Sequence, residues 1–252
     1  MNCKRLDTNI SYLPIHEIDF HRIMVGMIKA TATTPKIAKF RINHIDRVKT
    51  LAMQLMVQEP NVEPEKVEIM VLIHDMYKYT ESFEHGKAAA MSLKEQFIKP
   101  YLKRSEAWMT KKRYIREKEE WSKVYEALIL HSEKAISPEK CKKNPYLRII
   151  LDADILDKLT VGYIEGFWEL FFEPSTDEPD NILPVIKKYV ERVCEGYIGK
   201  CNSFTAVRNQ LVELLILHSQ PLIASDPISM KYYREKIYPI VPRKLKMTKE
   251  LP

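Results

Sequence analysis

The chain has 252 residues, of which 45% are apolar and 29% charged, so it can fill a hydrophobic core and keep a hydrated surface. Its formal charge of +6 suits an anionic small molecule such as a nucleotide, and it falls short of the charge typical of a nucleic-acid-binding protein. Four cysteines without a CxxC motif argue against a zinc ribbon and against a disulfide framework.

Neither a signal-peptide-like start nor an apolar run of membrane-span length occurs in the sequence. We therefore expect a cytoplasmic protein with reduced thiols and no membrane partner. Glycine is scarce, with 6 residues, and the absence of GxGxxG and GxxxxGK argues against Rossmann and P-loop nucleotide sites. The composition predicts an all-α fold, arranged as a single domain over residues 1–252.

The first predicted helix is amphipathic and carries His16 and His21, for which we expect structural roles. The second has an apolar stripe at helical spacing, with Asn43 as its predicted N-cap just before His44. These patterns place His44 in the first turn of a helix.

A third helix is predicted to begin at Pro64 and to be buried on every side, because VEIMVLI is apolar almost all round. It carries the adjacent pair His74 and Asp75 near its end. A fourth helix, opening at His85, is predicted to stop at Pro100.

Residues 108–123, WMTKKRYIREKEEWSK, are predicted as a solvated helical face rather than a site for polyanions. The same helix leads at 3.6-residue spacing into His131. The three tryptophans, Trp108, Trp121 and Trp168, are expected to be packing anchors.

The apolar run over residues 145–172 is predicted to be helical and contains Asp154 in the phrase LDADILDKL. Two amphipathic helices are expected over about 185–197 and 203–218, the second ending at the structural His218. Accessory helices and a basic tail thus occupy about residues 173–252.

Imidazole nitrogens and carboxylate oxygens together hold divalent metals that can activate water. Each histidine taken alone is more typical of a structural role, but their joint order along the chain indicates one metal site. Asp152 and Asp157 compete with Asp154, although Asp152 points about 200° away on a helix and Asp157 suits a supporting position. The predicted ligands are His44, His74, Asp75, His85, His131 and Asp154.

Three cations lie one helical turn from predicted ligands. Arg47 follows His44 by three residues, Lys78 follows His74 by four, and Lys158 follows Asp154 by four. Each is a candidate to bind substrate phosphate, and a solvated or carboxylate-paired side chain is an equally good interpretation.

The ordered set HIDRV, LIHDMYK, HGKAAA, LILHSE and DADILD resembles the HD-domain superfamily of metal-dependent phosphohydrolases, over roughly residues 40–172. The resemblance implies a mainly α-helical bundle. It also implies that one group of residues holds a first metal, namely His44, His74, Asp75 and Asp154. In branches that carry both intermediate histidines, it further implies a second metal held by His85 and His131, with Asp75 bridging.

The sequence departs from the superfamily's common phrase HDIGK, since Tyr77 stands where glycine is usual. The glutamate that some HD nucleotidases carry four residues after the pair histidine is replaced by Lys78, and His131 is followed by serine rather than by a second histidine. The missing glutamate argues against transferring the acid-base mechanism of those nucleotidases, and the missing second histidine sets the chain apart from cyclic-di-GMP phosphodiesterases.

The sequence therefore predicts a metal-dependent phosphohydrolase that cuts an ester or anhydride of a nucleotide or another small phosphorylated molecule. Asp75 is expected to orient or deprotonate the attacking water, with Lys78 as its catalytic companion. One or two ions of Fe, Mn, Co, Ni, Zn or Mg fit the donors. The alternative is a non-catalytic sensor or scaffold whose basic tail, residues 231–252, docks a partner. A homodimer is left open.

Overall fold

The structure, a computed structural model, describes residues 14–80, 84–133 and 136–158, together with residues 163, 166 and 170. Within these ranges the chain is mainly helical and forms no β-strand, which confirms the predicted all-α fold. Among the same residues, no helix combines the length and apolar content needed to cross a bilayer. The predicted accessory helices, Trp168, His218 and the basic tail fall outside the described residues.

The helices follow one another along the chain with short connections. After a 3-10 turn, Ile15–Glu17, they are α1 Phe20–Thr31, α2 Pro35–Met56, α3 Pro64–Ile73, α4 His85–Ser92, a π-helical segment Leu93–Ile98, α5 Lys99–Ser105, α6 Lys111–Leu130, α7 Pro138–Lys143 and α8 Pro145–Asp157.

The chain divides into two compact units, and the division falls within α8. The first comprises Met1–Glu133 and Asn144–Ile150, and the second Lys134–Lys143 and Leu151–Pro252. In the first unit α2 packs on α3, α4 packs on α6, and α1 contacts both α2 and α3. The prediction of a single domain is not decided by this division and stays a prediction.

Helix α2 begins nine residues earlier than its sequence pattern suggested, so the prediction of Asn43 as its N-cap is wrong. Thr34 is the N-cap, and its side chain accepts a hydrogen bond from the backbone N–H of Ile37 at 3.2 Å. Pro35 fits the first turn, where its missing N–H is not needed. His44 consequently lies in the interior of a 22-residue helix, where the backbone holds it firmly.

His16 and His21 do not share one helix as predicted. His16 is exposed in the 3-10 turn, and Asp19 starts α1 by accepting a hydrogen bond from the backbone N–H of Arg22 at 2.8 Å. This cap separates the two histidines. His21 lies on α1, where Nε2 is 3.1 Å from Oδ1 of Asp46.

Helix α3 begins at Pro64 and is buried along its length after the first turn, as predicted. Val67, Met70 and Val71 are fully enclosed by neighbouring helices. The helix ends at Ile73, so the His-Asp pair follows it directly.

The predicted stop at Pro100 is wrong, because the chain continues from the π-helical segment into α5. Pro100 lies in the first turn of α5, a position that tolerates proline because no intrahelical N–H bond is required there. The π-helical segment Leu93–Ile98 has wider turns than an α-helix and connects α4 to α5 just before this proline.

A buried ion-pair network joins α3 to α6. Lys66 is 2% exposed, and its Nζ contacts a carboxylate oxygen of Glu63 and one of Glu117, the latter at 3.1 Å. The same ammonium lies 5.3 Å from the ring centre of Trp121, whose Nε1 donates to Glu117 at 2.9 Å. Trp121 is thus the packing anchor that its sequence position predicted.

Tyr146 brings α8 into the same network. Its hydroxyl donates to Glu120 Oε2 at 2.9 Å and accepts from the backbone N–H of Glu63 at 3.3 Å.

Trp108, unlike Trp121, is 62% exposed, so its predicted role as a packing anchor is wrong.

We predict that Lys66→Met lowers the free energy of unfolding by about 3 kcal/mol, because it leaves the partly buried carboxylates of Glu63 and Glu117 without their cation. Urea titration followed by circular dichroism measures this loss. Lys87→Met is the matched control, since Lys87 lies exposed on α4 and pairs only with Glu84 at the surface. A loss below about 1 kcal/mol for the Lys66 variant would show that the ion pair does not hold the helices together.

Candidate metal centre

Two of the predicted ligands stand at the carboxyl ends of helices. His74 follows α3 and His131 follows α6, each as the first residue after the last helical turn. Nδ1 of His74 lies 2.7 Å from the carbonyl oxygen of Val71, and Nδ1 of His131 lies 2.6 Å from that of Leu128. These carbonyls belong to the last turn, where helical N–H partners run out. Donation by Nδ1–H fixes the tautomer and leaves the lone pair of Nε2 for a ligand.

The other two histidines approach from α2 and α4. His44 is fully buried in the middle of α2, and His85 is the first residue of α4. The rings of His44 and His74 have centres 5.7 Å apart. Those of His74 and His131 are 5.4 Å apart, and those of His85 and His131 are 5.1 Å apart. Four helices therefore bring four imidazoles to one place.

Asp75 lies at the centre of these rings. Its Oδ1 is 3.3 Å from Nε2 of His85. The same oxygen is 3.9 Å from Nε2 of both His74 and His131. Its other oxygen, Oδ2, is 3.7 Å from Nε2 of His44. The two oxygens of one carboxylate thus face different sets of histidines.

These distances define two groupings of potential ligands that share Asp75, and in each the ligand atoms lie within 4.8 Å of one another. All five side chains are buried. Imidazole nitrogen with carboxylate oxygen is a donor set that Zn, Fe, Mn, Co and Ni accept, so the residues fit a divalent metal without selecting one. The groupings are His44, His74 and Asp75, and Asp75, His85 and His131.

The His-Asp pair lies in a tight turn rather than on the helix that the sequence indicated. Backbone N–H groups of Met76 and Lys78 each donate to the carbonyl three residues earlier, at 3.1 Å. Such i to i+3 bonding advances the chain by about 120° per residue, so His74 and Asp75 diverge and reach different parts of the site.

Tyr77 does not disturb this turn. None of the described residues has a positive φ, so the position usually held by glycine does not require glycine here. The ring of Tyr77 is buried, and its hydroxyl donates to Oγ of Ser92 at 2.8 Å, which ties the turn to the end of α4.

Two cations contact Asp75 on the Oδ2 side. Lys78 Nζ lies at 2.8 Å and Arg41 Nη1 at 3.2 Å. Arg41 was not among the predicted residues, although it precedes His44 by three residues and so shares its helix face. Nε of Arg41 donates to the hydroxyl of Tyr79 at 3.1 Å, which fixes the guanidinium in place.

Burial alone would raise the pKa of Asp75. The positive charge of Lys78, with His74, His131 and His85 nearby, outweighs burial and holds the pKa of this carboxyl well below its usual range. Asp75 is therefore ionised at neutral pH and can serve as a metal ligand without first losing a proton.

Gly86 allows α4 to approach the end of α6 closely. A Cβ at this position would lie 2.1 Å from the carbonyl oxygen of Leu128 and 2.9 Å from Cε1 of His131. The first of these atoms is backbone and cannot move aside easily. Because Gly86 directly follows His85, its lack of a side chain lets His85 stand beside His131.

Residues 41–159 match the family model described as HD domain. This segment is similar to HD domains. The match begins at Arg41 and includes every predicted ligand, and it is shorter than the range of about 40–172 suggested by the sequence motifs. No significant match was found among the curated proteins or among the solved structures.

The remaining predicted site residues are placed as follows. Arg47 lies partly buried on α2. Asp154 lies in α8, within the second compact unit, and its Oδ2 accepts from Nζ of Lys158 at 2.6 Å. Asp152 and Asp157 are fully buried on the same helix. Asp154 as a ligand, and Arg47 and Lys158 as phosphate-binding residues, stay predictions.

We predict that Gly86→Ala separates His85 from His131 and weakens metal binding to the grouping Asp75, His85 and His131 at least about tenfold. Binding to His44, His74 and Asp75 should be retained, since the atoms nearest to a Cβ at position 86 belong to Leu128, His131 and Ser132. Isothermal titration with Mn²⁺ measures the two sites separately.

Gly26→Ala is the control for this variant, because a Cβ there meets no atom within 4 Å. Alanine in the interior of α1 should raise the free energy of unfolding by about 1 kcal/mol and leave both affinities unchanged. Two intact binding steps in the Gly86 variant would contradict the proposed role of this close approach.

We also predict that Asp75→Asn lowers the free energy of unfolding of metal-free protein by about 3 kcal/mol at pH 7, since two cations lose their buried counter-charge. A carboxyl whose folded pKa is depressed contributes stability that is complete above its unfolded pKa of about 3.9. That contribution is lost as the pH falls through the folded value, so the difference between the two proteins should shrink below about pH 4.

Urea titrations from pH 3 to pH 7 in the presence of a chelator measure this dependence. Asp46→Asn provides the control, because Asp46 is exposed and should change stability by less than about 0.5 kcal/mol. A difference that stayed constant down to pH 3 for Asp75→Asn would mean that the charge of Asp75 does not stabilise the fold.

Proposed function

We propose that the HD domain is a metal-dependent phosphohydrolase that cleaves an ester or anhydride of a nucleotide or another small phosphorylated molecule. One observation carries this proposal. A single buried carboxylate, Asp75, is shared by two groupings of three ligands and is contacted by two cations on one oxygen.

Two of the histidines are already oriented for metal binding. Hydrogen bonds to Val71 and Leu128 orient His74 and His131 with Nε2 toward Asp75. When bound, a divalent ion would polarise a phosphoryl oxygen and lower the pKa of a water to roughly 7. Two such ions bridged by one carboxylate are typical of sites that clamp a phosphoryl group.

Arg41 and Lys78 are suited to receive the phosphate. Their side chains are 16% and 29% exposed, whereas that of Asp75 is 2% exposed, so the cations lie on the solvent side of the carboxylate. A phosphate entering from solvent therefore meets them first. A planar guanidinium can bind two oxygens of a phosphate at once, and the lysine adds a point charge. Arg47 and Lys158 are further candidates for the same task.

The lowered pKa of Asp75 favours one of its two predicted roles. A carboxylate whose pKa lies well below the usual range is a weak base, so it takes a proton from water poorly at neutral pH. We therefore assign Asp75 to holding metal and orienting the attacking water. The proton is left to another acceptor or to solvent.

The charge of the site favours anionic substrates. Asp75 contributes one negative charge, and Arg41 and Lys78 contribute two positive ones before any divalent ion adds its own. Phosphoryl transfer relies mainly on positioning and on charge stabilisation, and this arrangement supplies both.

The alternative of a non-catalytic sensor is less well supported. Its support in the sequence is Tyr77, which stands where glycine is usual and could alter the turn after the His-Asp pair. Because Tyr77 is buried against Ser92 in a turn without strained φ, that reason for it no longer holds.

We predict that Arg41→Ala and Lys78→Ala each lower kcat/KM by about 10²-fold to 10³-fold, because each removes a charge that stabilises the transition state. The assay is hydrolysis of a panel of nucleotides and an aryl phosphate by protein reconstituted with Mn²⁺. His74→Ala should abolish turnover.

Lys87→Ala is the matched control, since this lysine lies exposed on α4 and should change kcat/KM less than about twofold. Turnover that persists in His74→Ala, or that is unchanged in both Arg41→Ala and Lys78→Ala, would contradict the phosphohydrolase proposal. A sensor would instead bind metal without turnover and lose partner binding when residues 231–252 are removed.

A further inference from the structure

The turn between α5 and α6 presents a large aromatic ring to solvent. Backbone N–H groups of Trp108 and Met109 both donate to the carbonyl of Ser105, at 3.2 and 2.8 Å. Met109 is buried and Ser105 is almost fully buried, so the turn is anchored from within. Trp108 is nevertheless 62% exposed, and its exposure is a fixed property of the turn.

Positive charge is concentrated around this turn. Residues 99–118 contain eight of the 40 lysines and arginines and two of the 34 acidic residues, which leaves 32 of each sign in the rest of the chain. This segment thus has a net charge equal to the +6 of the whole protein. The whole-chain value had argued against a nucleic-acid partner, but it does not reveal this local concentration.

The cations and the ring form one surface, which we call the Trp108 surface. Residues 111, 112, 115 and 116 share one side of α6 and are all exposed. The guanidinium carbon of Arg113 lies 5.9 Å from the ring centre of Trp108, which links the turn to the helix. The members of the Trp108 surface are Trp108, Lys111, Lys112, Arg113, Ile115 and Arg116.

We propose that the Trp108 surface binds single-stranded nucleic acid. A groove or face that combines cations with an exposed aromatic ring fits this ligand, because phosphates pair with the cations while a base stacks on the ring. Stacking requires an unpaired base, which a duplex does not offer. The favoured ligand is therefore a single strand bound without sequence preference.

Other polyanions fit this surface less well. A membrane-binding helix needs a continuous apolar side, whereas here Ile115 is the one exposed large aliphatic residue among cations in the described first half of α6. An acidic protein would use the charges but would leave Trp108 without a defined role. Both are outcomes that the experiment can detect.

The surface is separate from the metal centre. Helix α6 carries it at the amino end and His131 at the carboxyl end, and 20 helical residues span about 30 Å. Binding should therefore not need metal and does not depend on the proposed hydrolase activity.

The test is fluorescence anisotropy of a labelled oligothymidylate of about 20 nucleotides with the full chain in the presence of a chelator. Trp108→Ala should weaken binding about tenfold, and Trp108→Phe should restore most of it, because phenylalanine also stacks. The double variant Lys111→Gln with Lys112→Gln should reduce the slope of log K against log salt by about 1.4.

The double variant Lys36→Gln with Lys39→Gln is the charge-matched control, since both lysines are exposed on α2 and their loss should change affinity less than about twofold. Equal affinity of Trp108→Ala and wild type would overturn the proposal. So would binding to vesicles of phosphatidylglycerol and phosphatidylcholine, or to polyglutamate, without binding to the oligonucleotide.

Discussion

The buried charge of Asp75 is the constraint on which the described fold around the site depends. Removing a carboxylate from water costs several kcal/mol unless its oxygens find compensating charge. Here Lys78 and Arg41 compensate it from the side of Oδ2, while imidazoles surround Oδ1. These cations therefore stabilise the ionised carboxylate in the absence of metal, and they are also the residues proposed to receive an anionic substrate.

The ends of two helices determine the orientation of two of the histidines around Asp75. α3 and α6 each end at a histidine whose Nδ1 satisfies a carbonyl of the last turn, so the direction of each Nε2 follows from where the helix stops. Lys66, on α3, holds that helix against α6 through its ion pair with Glu117. A shift of either helix along its axis would move one imidazole relative to the other. A structural ion pair and the metal centre are in this way parts of one scaffold.

The sequence was informative where local chemistry decides the outcome. The buried character of α3 and its start at Pro64 followed from apolar periodicity and proline placement. The set of four histidines with Asp75 followed from their order along the chain. Asp154 remains the predicted ligand that the geometry of the first compact unit does not address.

What depends on packing between distant segments could not be predicted. Arg41 reaches Asp75 only because α2 packs on α3, and its spacing from His44 alone does not show which carboxylate it contacts. The need for glycine at position 86 arises from its approach to Leu128, 42 residues later. Trp108 was expected to be buried because large aromatic rings usually are, and the inward anchor of its turn is Met109 instead. In each case the deciding contact is tertiary.

Anomalous diffraction from crystals grown with Mn²⁺, collected at the manganese absorption edge, tests the central claim most directly. The account predicts two peaks about 4 Å apart, each within about 2.5 Å of an oxygen of Asp75. One peak should lie beside His44 and His74, and the other beside His85 and His131. No peak at saturating manganese, or peaks that do not contact Asp75, would contradict a metal centre organised around this carboxylate.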